Sequence, residues 1–250
     1  MTIPLRAAAA VLLAVAVLTA PSAAPAEPFL DLFTGKSWTH DADVEISQPG
    51  RGNAFTVEDL GFDDESFVSP PYYGFRAGYF FESLPAVGVG VEFIHFKILG
   101  ETRDTKRIVG TRAGAPIDAR VPVNSVVQKF DVSHGVNYVM FDVIGRYRLL
   151  QDAERFPHGR VQLHAGAGIG PVISNTSARI DGVTADAGYE LAGVGVQGFL
   201  GIRALFSRYV GLFAEYKFTR ADLEVGLKGG HADVDERSHH IVGGISFFLP

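Results

Sequence analysis

The chain has 250 residues, no cysteine, and 22 Lys and Arg against 28 Asp and Glu, for a formal net charge of −6. Without cysteine, neither a disulfide framework nor thiol chemistry is possible, and the acidic balance argues against nucleic acid as a partner. Beyond the N-terminus no run of about 18 or more apolar residues occurs, which excludes helical membrane spans there.

Arg6 precedes an apolar stretch from Ala7 to Ala20 and the small-residue triplet Ala24-Pro25-Ala26. This order predicts a secretory signal peptide over 1–26, cleaved after Ala26, since about 14 apolar residues are short for a membrane span. A single β domain over 27–250 is expected to follow, with 21 Lys and Arg against 28 Asp and Glu.

Strand periodicity dominates that domain. A first strand over residues 29–45 carries Leu30, Leu32 and Trp38 on one face, before a polar segment at 47–69 that reads as a loop. Pro70 and Pro71 cannot donate to a ladder and mark the start of a second strand. In it Tyr73, Phe75, Ala77, Tyr79 and Phe81 oppose Gly74, Arg76, Gly78 and Phe80. The third sets Val87, Val89, Val91 and Phe93 against Gly88, Gly90 and Glu92. Its register then weakens: His95 and Lys97 would face lipid unless they snorkel or a bulge intervenes. Residues 100–124 read as the longest loop.

The fourth strand places Val139, Phe141, Val143, Gly145, Tyr147 and Leu149 opposite Met140, Asp142, Ile144, Arg146 and Arg148. The fifth has Leu163, Ala165 and Ile169 outward and Gln162, His164, Gly166 and Gly168 inward, with 174–179 read as a third loop. The sixth has Val194, Val196, Leu200 and Ile202 outward and Gln197, Phe199 and Arg203 inward. Only Ser207-Arg208 separates it from the seventh, in which Val210, Leu212, Ala214, Tyr216 and Phe218 alternate with Gly211, Phe213, Glu215, Lys217 and Thr219. After a loop at 226–237, the eighth has Ile241, Ile245 and Leu249 outward. Repeated alternation over roughly 9–11 residues, with long and short connections in turn, predicts an all-β, eight-stranded, antiparallel up-and-down transmembrane barrel with short periplasmic turns and long external loops.

Phe29-Leu-Asp-Leu-Phe33, Gly74-Phe-Arg-Ala-Gly-Tyr79, Gly211-Leu-Phe-Ala-Glu-Tyr-Lys217 and Gly244-Ile-Ser-Phe-Phe248 stand in order along the chain. With these it resembles the small eight-stranded outer-membrane β-barrel proteins, a group that includes opacity-type surface proteins and the barrel portion of outer membrane protein A. The resemblance implies the outer membrane of a Gram-negative bacterium as location. It also implies outer-membrane lipid, lipopolysaccharide and the barrel-assembly machinery as partners, the last through a terminal strand in which Leu249 holds the usual aromatic position. Unlike outer membrane protein A, the chain is expected to lack a peptidoglycan-binding domain after the eighth strand.

Seven charged residues share the inward parity: Arg76, Glu92, Asp142, Arg146, Arg203, Glu215 and Lys217. An eight-stranded barrel has room for little beyond its own side chains, so these are expected to form a structural polar network in the lumen. Asp41, Asp43 and Glu45, Glu58 and Asp59, and Asp63 to Glu65 could offer oxygens to a hard cation, but no full calcium-loop spacing is present. His231, His239 and His240 could bind a transition metal, yet paired histidines at a strand start are expected to be interfacial. Gly166-Ala-Gly168-Ile-Gly170 opens no helix and so does not read as a phosphate loop. Neither a cofactor nor a metal is assigned. The expected function is non-catalytic, either envelope support or binding of an extracellular ligand through the loops. A lipid-modifying enzyme and a narrow-pore channel are the alternatives. Catalysis would need a convergent nucleophile and base, and the sequence neighbours Ser133 and His134 point to opposite faces.

Overall fold

A computed structural model describes residues 27–152 and 154–249; the expected signal peptide lies outside them. Alternating apolar and small or polar residues make thirteen strands: β1 (Glu27–Thr39), β2 (Ala42–Gln48), β3 (Asn53–Leu60), β4 (Phe62–Asp63), β5 (Tyr73–Phe80), β6 (Val87–Gly100), β7 (Thr105–Arg112), β8 (Ala115–Pro122), β9 (Val127–Leu149), β10 (Val161–Ile180), β11 (Val183–Leu205), β12 (Val210–Leu227) and β13 (Gly230–Phe248). Eight of them close a ring in the order β1-β5-β6-β9-β10-β11-β12-β13, with β13 pairing back onto β1. Every pairing in the ring is antiparallel. Among the described residues no helix is long and apolar enough to cross a membrane.

The register fixes the tilt. Stepping from Thr219 through Gln197, Gly168, Asp142, Gly90, Gly78, Phe29 and Phe248 leads back to Tyr209, ten residues earlier along the same stretch of chain. Such a stagger in an eight-strand barrel tilts the strands by about 40° and leaves a lumen only wide enough for side chains.

Both faces of the wall change chemistry at one height. Outward on β12, exposed Leu212 and Tyr216 are followed beyond Phe218 by Arg220, Asp222 and Glu224; inward, Glu215, Lys217 and Thr219 give way to buried Ala221, Leu223 and Val225. Below the switch the outside faces lipid and must be apolar, while the inside tolerates paired charge. Above it the outside meets water, so the inside becomes an apolar core.

That upper half corrects the loop readings. Residues 47–69 contain β3 and β4, 100–124 contain β7 and β8, 174–179 lie within β10, and most of 226–237 belongs to β13. The first strand breaks after Thr39 into β1 and β2, and β9 and β11 run to 23 residues each. These segments build a folded head above the barrel, in which the sheet continues from β13 through β2, β3 and β7 to β8. Its core holds Val44, Phe55, Val57, Ile98, Ile108, Phe130 and Val225, all buried. Two tight turns, Ala113-Gly114 (φ 49° and 79°) and Asp181-Gly182 (φ 48° and 75°), place two successive residues in the left-handed region, the signature of a type I′ hairpin. Arg112 ties them together by donating to Asp181 Oδ1 at 2.6 and 2.9 Å.

His95 and Lys97 avoid lipid. The β6–β9 register shifts between Phe96 and Ile98, His95 bonds Asn137 at 2.8 Å and stacks on Tyr73, and Lys97 Nζ donates to the Val68 carbonyl at 3.0 Å. The segment carrying Val68 also closes the wall above Phe33, where the β1–β5 ladder stops: Ser37 N donates to Ser66 Oγ and Thr34 Oγ1 to the Tyr72 carbonyl.

Candidate functional site

Inward parity on all eight ring strands delivers polar side chains to the middle of the barrel, and closure of the ring decides which of them meet. Arg76 on β5 is the hub. Its Nε donates to Glu92 Oε2 at 2.5 Å, while Nη1 and Nη2 grip Glu215 Oε2 and Oε1 at 3.1 and 2.9 Å. Asp142 Oδ2 stands 3.3 Å from Arg76 Nε. Lys217 Nζ donates to Glu92 Oε1 at 2.6 Å and also pairs with Glu215. His164 Nε2 is 2.8 Å from Glu215 Oε2, and Gln197 donates to Asp142 Oδ1 at 2.6 Å. Just below, Arg203 binds both oxygens of Asp31 at 3.0 and 2.8 Å and donates to Ser246 Oγ and Gln162 Oε1. Every one of these groups is buried. Phe199 lies against the hub, 4.2 Å from the Arg76 guanidinium carbon and 4.8 Å from Lys217 Nζ, a cation–π arrangement favoured where water is excluded.

Two glycines make this crowding possible. A Cβ at Gly168 would stand 2.0 Å from Asp142 Oδ1, and one at Gly201 would stand 2.8 Å from His164 Nε2.

Six of the seven charged residues selected by parity meet here. Arg146 does not. It sits near the short-turn end of β9, pairs with Glu27, donates to the Pro85 carbonyl at 2.8 Å and stacks 3.6 Å over the Phe80 ring. Charge parity also passed over Asp31, although outward Leu30 and Leu32 place it inward, and the uncharged Gln162, Gln197 and Ser246. Four carboxylates, Asp31, Glu92, Asp142 and Glu215, thus face three permanent cations, Arg76, Arg203 and Lys217.

At the base of the head, level with outward Arg237, Glu236 is buried and accepts hydrogen bonds from Tyr138 Oη and Ser238 Oγ. Burial pushes its carboxyl up to about 7, outweighing those two donors.

The three histidines singled out by sequence are not brought together. His240 points inward, buried, to Thr219 Oγ1 at 2.9 Å; His239 points outward; His231 lies by Asp233 in the head. The acid-rich segments separate as well: Asp64 pairs with Lys36 at 2.6 Å, whereas Asp41, Asp43, Glu45 and Asp59 line an external groove of about 670 Å³ with Asp222, Glu224, Asp233 and Asp235. Among the described residues no group of three or more His, Asp or Glu side chains is arranged to hold a metal ion. The side chains at 133 and 134 lie outside the described residues.

A closed antiparallel ring, an apolar outer band and a lumen filled with paired charge are what a lipid bilayer demands of a strand-built span. The chain is a transmembrane β-barrel. No family model and no curated protein matches the sequence. Among solved structures the barrel is similar to Neisserial surface protein A, at 11% identity over 88% of this chain and 96% of that one with a TM-score of 0.40. It is also similar to OprG of Pseudomonas aeruginosa, at 11% identity, 91% and 98% coverage and a TM-score of 0.38. Ail, the attachment invasion locus protein of Yersinia pestis, aligns at 12% identity, 88% and 99% coverage and a TM-score of 0.36. The assignment rests on the wall of this barrel rather than on those likenesses.

Proposed function

We propose that this outer-membrane barrel is non-catalytic, a sealed span that holds a rigid extracellular head in place as a binding surface. The observation that carries the reading is the exchange of faces at Phe218 and Arg220: the segments above it are not pliant loops but a folded β unit with its own apolar core. Two seals are thereby stacked, an ionic one within the membrane and an apolar one above it, which favours support and binding over transport. Residues 41–45 and the outward sides of β12 and β13 give the head an acidic face, so the partner suited to it carries positive charge. The outward band rests in outer-membrane lipid, with lipopolysaccharide around the base of the head. The outward position of Leu249, 57% exposed beside the inward Phe248, is the feature offered to the barrel-assembly machinery.

The decisive experiment compares lipid A extracted from cells with and without the protein. An unchanged acyl pattern is expected, together with binding of basic ligands by the purified protein that weakens when Asp43, Glu45 and Asp233 are replaced by lysine. A mass change in lipid A that a single substitution abolishes would overturn the reading in favour of a lipid-modifying enzyme.

A further inference from the structure

Outside the barrel, where its apolar band ends, two histidines from neighbouring strands face each other. His239 stands on β13 opposite Trp38 of β1, and His40 follows the last residue of β1. Their Nε2 atoms are 2.7 Å apart and their ring centroids 4.8 Å. Tyr216 Oη is bonded to the other ring nitrogen of His239, and Phe218 flanks the same ring at 5.2 Å between centroids.

Two neutral imidazoles in this geometry share one proton, one Nε2 donating it and the other accepting it. Both nitrogens therefore aim at a single point, and a metal ion can take the proton's place there. Bonds of about 2.0–2.1 Å at a tetrahedral angle separate two nitrogens by roughly 3.3 Å. The pair must open by about 0.6 Å to reach that spacing, a movement well within the rotation of an exposed side chain such as His40, which sits between two strands.

We propose that His40 and His239 form a surface site for one borderline divalent transition-metal ion, zinc, copper(II) or nickel, with water in the remaining positions. Imidazole pairs favour these ions over calcium and magnesium, which take oxygen ligands. Tyr216 is the positioning residue: its bond to Nδ1 fixes the orientation of the His239 ring and leaves Nε2 for the ion, as outer partners of ligating histidines do. The acidic groove begins at Asp41, the residue after His40, and reaches Asp235 and Arg237 on the strand of His239. Its carboxylates raise the local concentration of cations at the histidine pair without supplying the ligands. Buried His240 and distant His231 contribute none.

The test is copper(II) titration of the full protein, purified without a histidine tag in detergent and read by electron paramagnetic resonance. One equivalent bound through two imidazole nitrogens is expected, displaceable by zinc and weakening on acidification as protons compete for the rings. His40→Ala and His239→Ala each abolish the two-nitrogen signal, Tyr216→Phe lowers affinity by about tenfold, and His231→Ala leaves it unchanged. The heat-dependent gel mobility of the folded barrel accompanies each measurement, and His40→Gln replaces any alanine variant that loses it. A wild-type spectrum without paired nitrogen ligands, or one-equivalent binding that survives both His40 and His239 substitutions, would overturn the site.

Discussion

Lys217 on β12 donates to Glu92 on β6 at 2.6 Å, joining two strands that stand four places apart in a ring of eight and 125 residues apart in sequence. The bond runs straight across the lumen. Through Glu92 and Glu215 it connects to Arg76, so one ionic cluster braces opposite walls of the barrel at mid-height.

Removing the hub should cost more than removing one of its carboxylates. Arg76→Met leaves four buried carboxylates facing two permanent cations, and breaking a buried pair in this way destabilises by about 3–5 kcal/mol. Glu215→Gln keeps the shape and leaves three carboxylates for three cations, so its loss should be smaller, and Arg146→Met at the short-turn end of the barrel should disturb the cluster least. Urea unfolding of the barrel in micelles gives the order. Glu215→Gln emerging as the most damaging of the three would contradict Arg76 as the hub.

Planar bilayers containing the purified protein should show no large, reproducible channels, because the staggered eight-strand ring is filled by side chains and the head above it is packed. Stable conductance in the wild-type protein would mean that one of the two seals opens.

Glu236 gives the head a pH dependence. Its carboxyl is pushed from the ordinary 4.5 to about 7 by burial, so the folded head holds a proton that the unfolded chain releases at lower pH. The associated stability is fully present below about 4.5 and is lost as pH rises through about 7, a span worth roughly 3 kcal/mol. Glu236→Gln should flatten the stability profile across that window. An unchanged slope in the variant would place the titration elsewhere.

Ala113 occupies the left-handed region at φ 49° without the side chain that tolerates it. Replacing it by asparagine creates the Asn-Gly pair favoured in type I′ turns, and the head should gain about 1 kcal/mol. Resistance of the β7–β8 hairpin to protease is the measurement. Faster cleavage in Ala113→Asn would show that the turn is held by contacts the substitution breaks.

Parity along each strand was legible in the sequence, because alternation is a local property of a pleated backbone. It placed Leu212 and Tyr216 outward, put Glu215 and Lys217 inward, and counted eight spans. The head was not legible in the same way. Its strands follow the same period with the opposite sign, apolar inside and charged outside, so Val44, Val57 and Val225 did not stand out as one core. The Asp181-Gly182 pair was an available hairpin signal at its tip. Nor could parity say which inward groups touch: Arg146 and Arg203 both point into the lumen, but at different heights. The ten-residue stagger of the closed ring alone brings Arg203 to Asp31 and leaves Arg146 with Glu27. Sequence determined which side of the wall each residue occupies, since that depends only on its neighbours along the strand. Tertiary structure decided height and partner, since those depend on how the sheet closes on itself and on whether lipid or water lies outside.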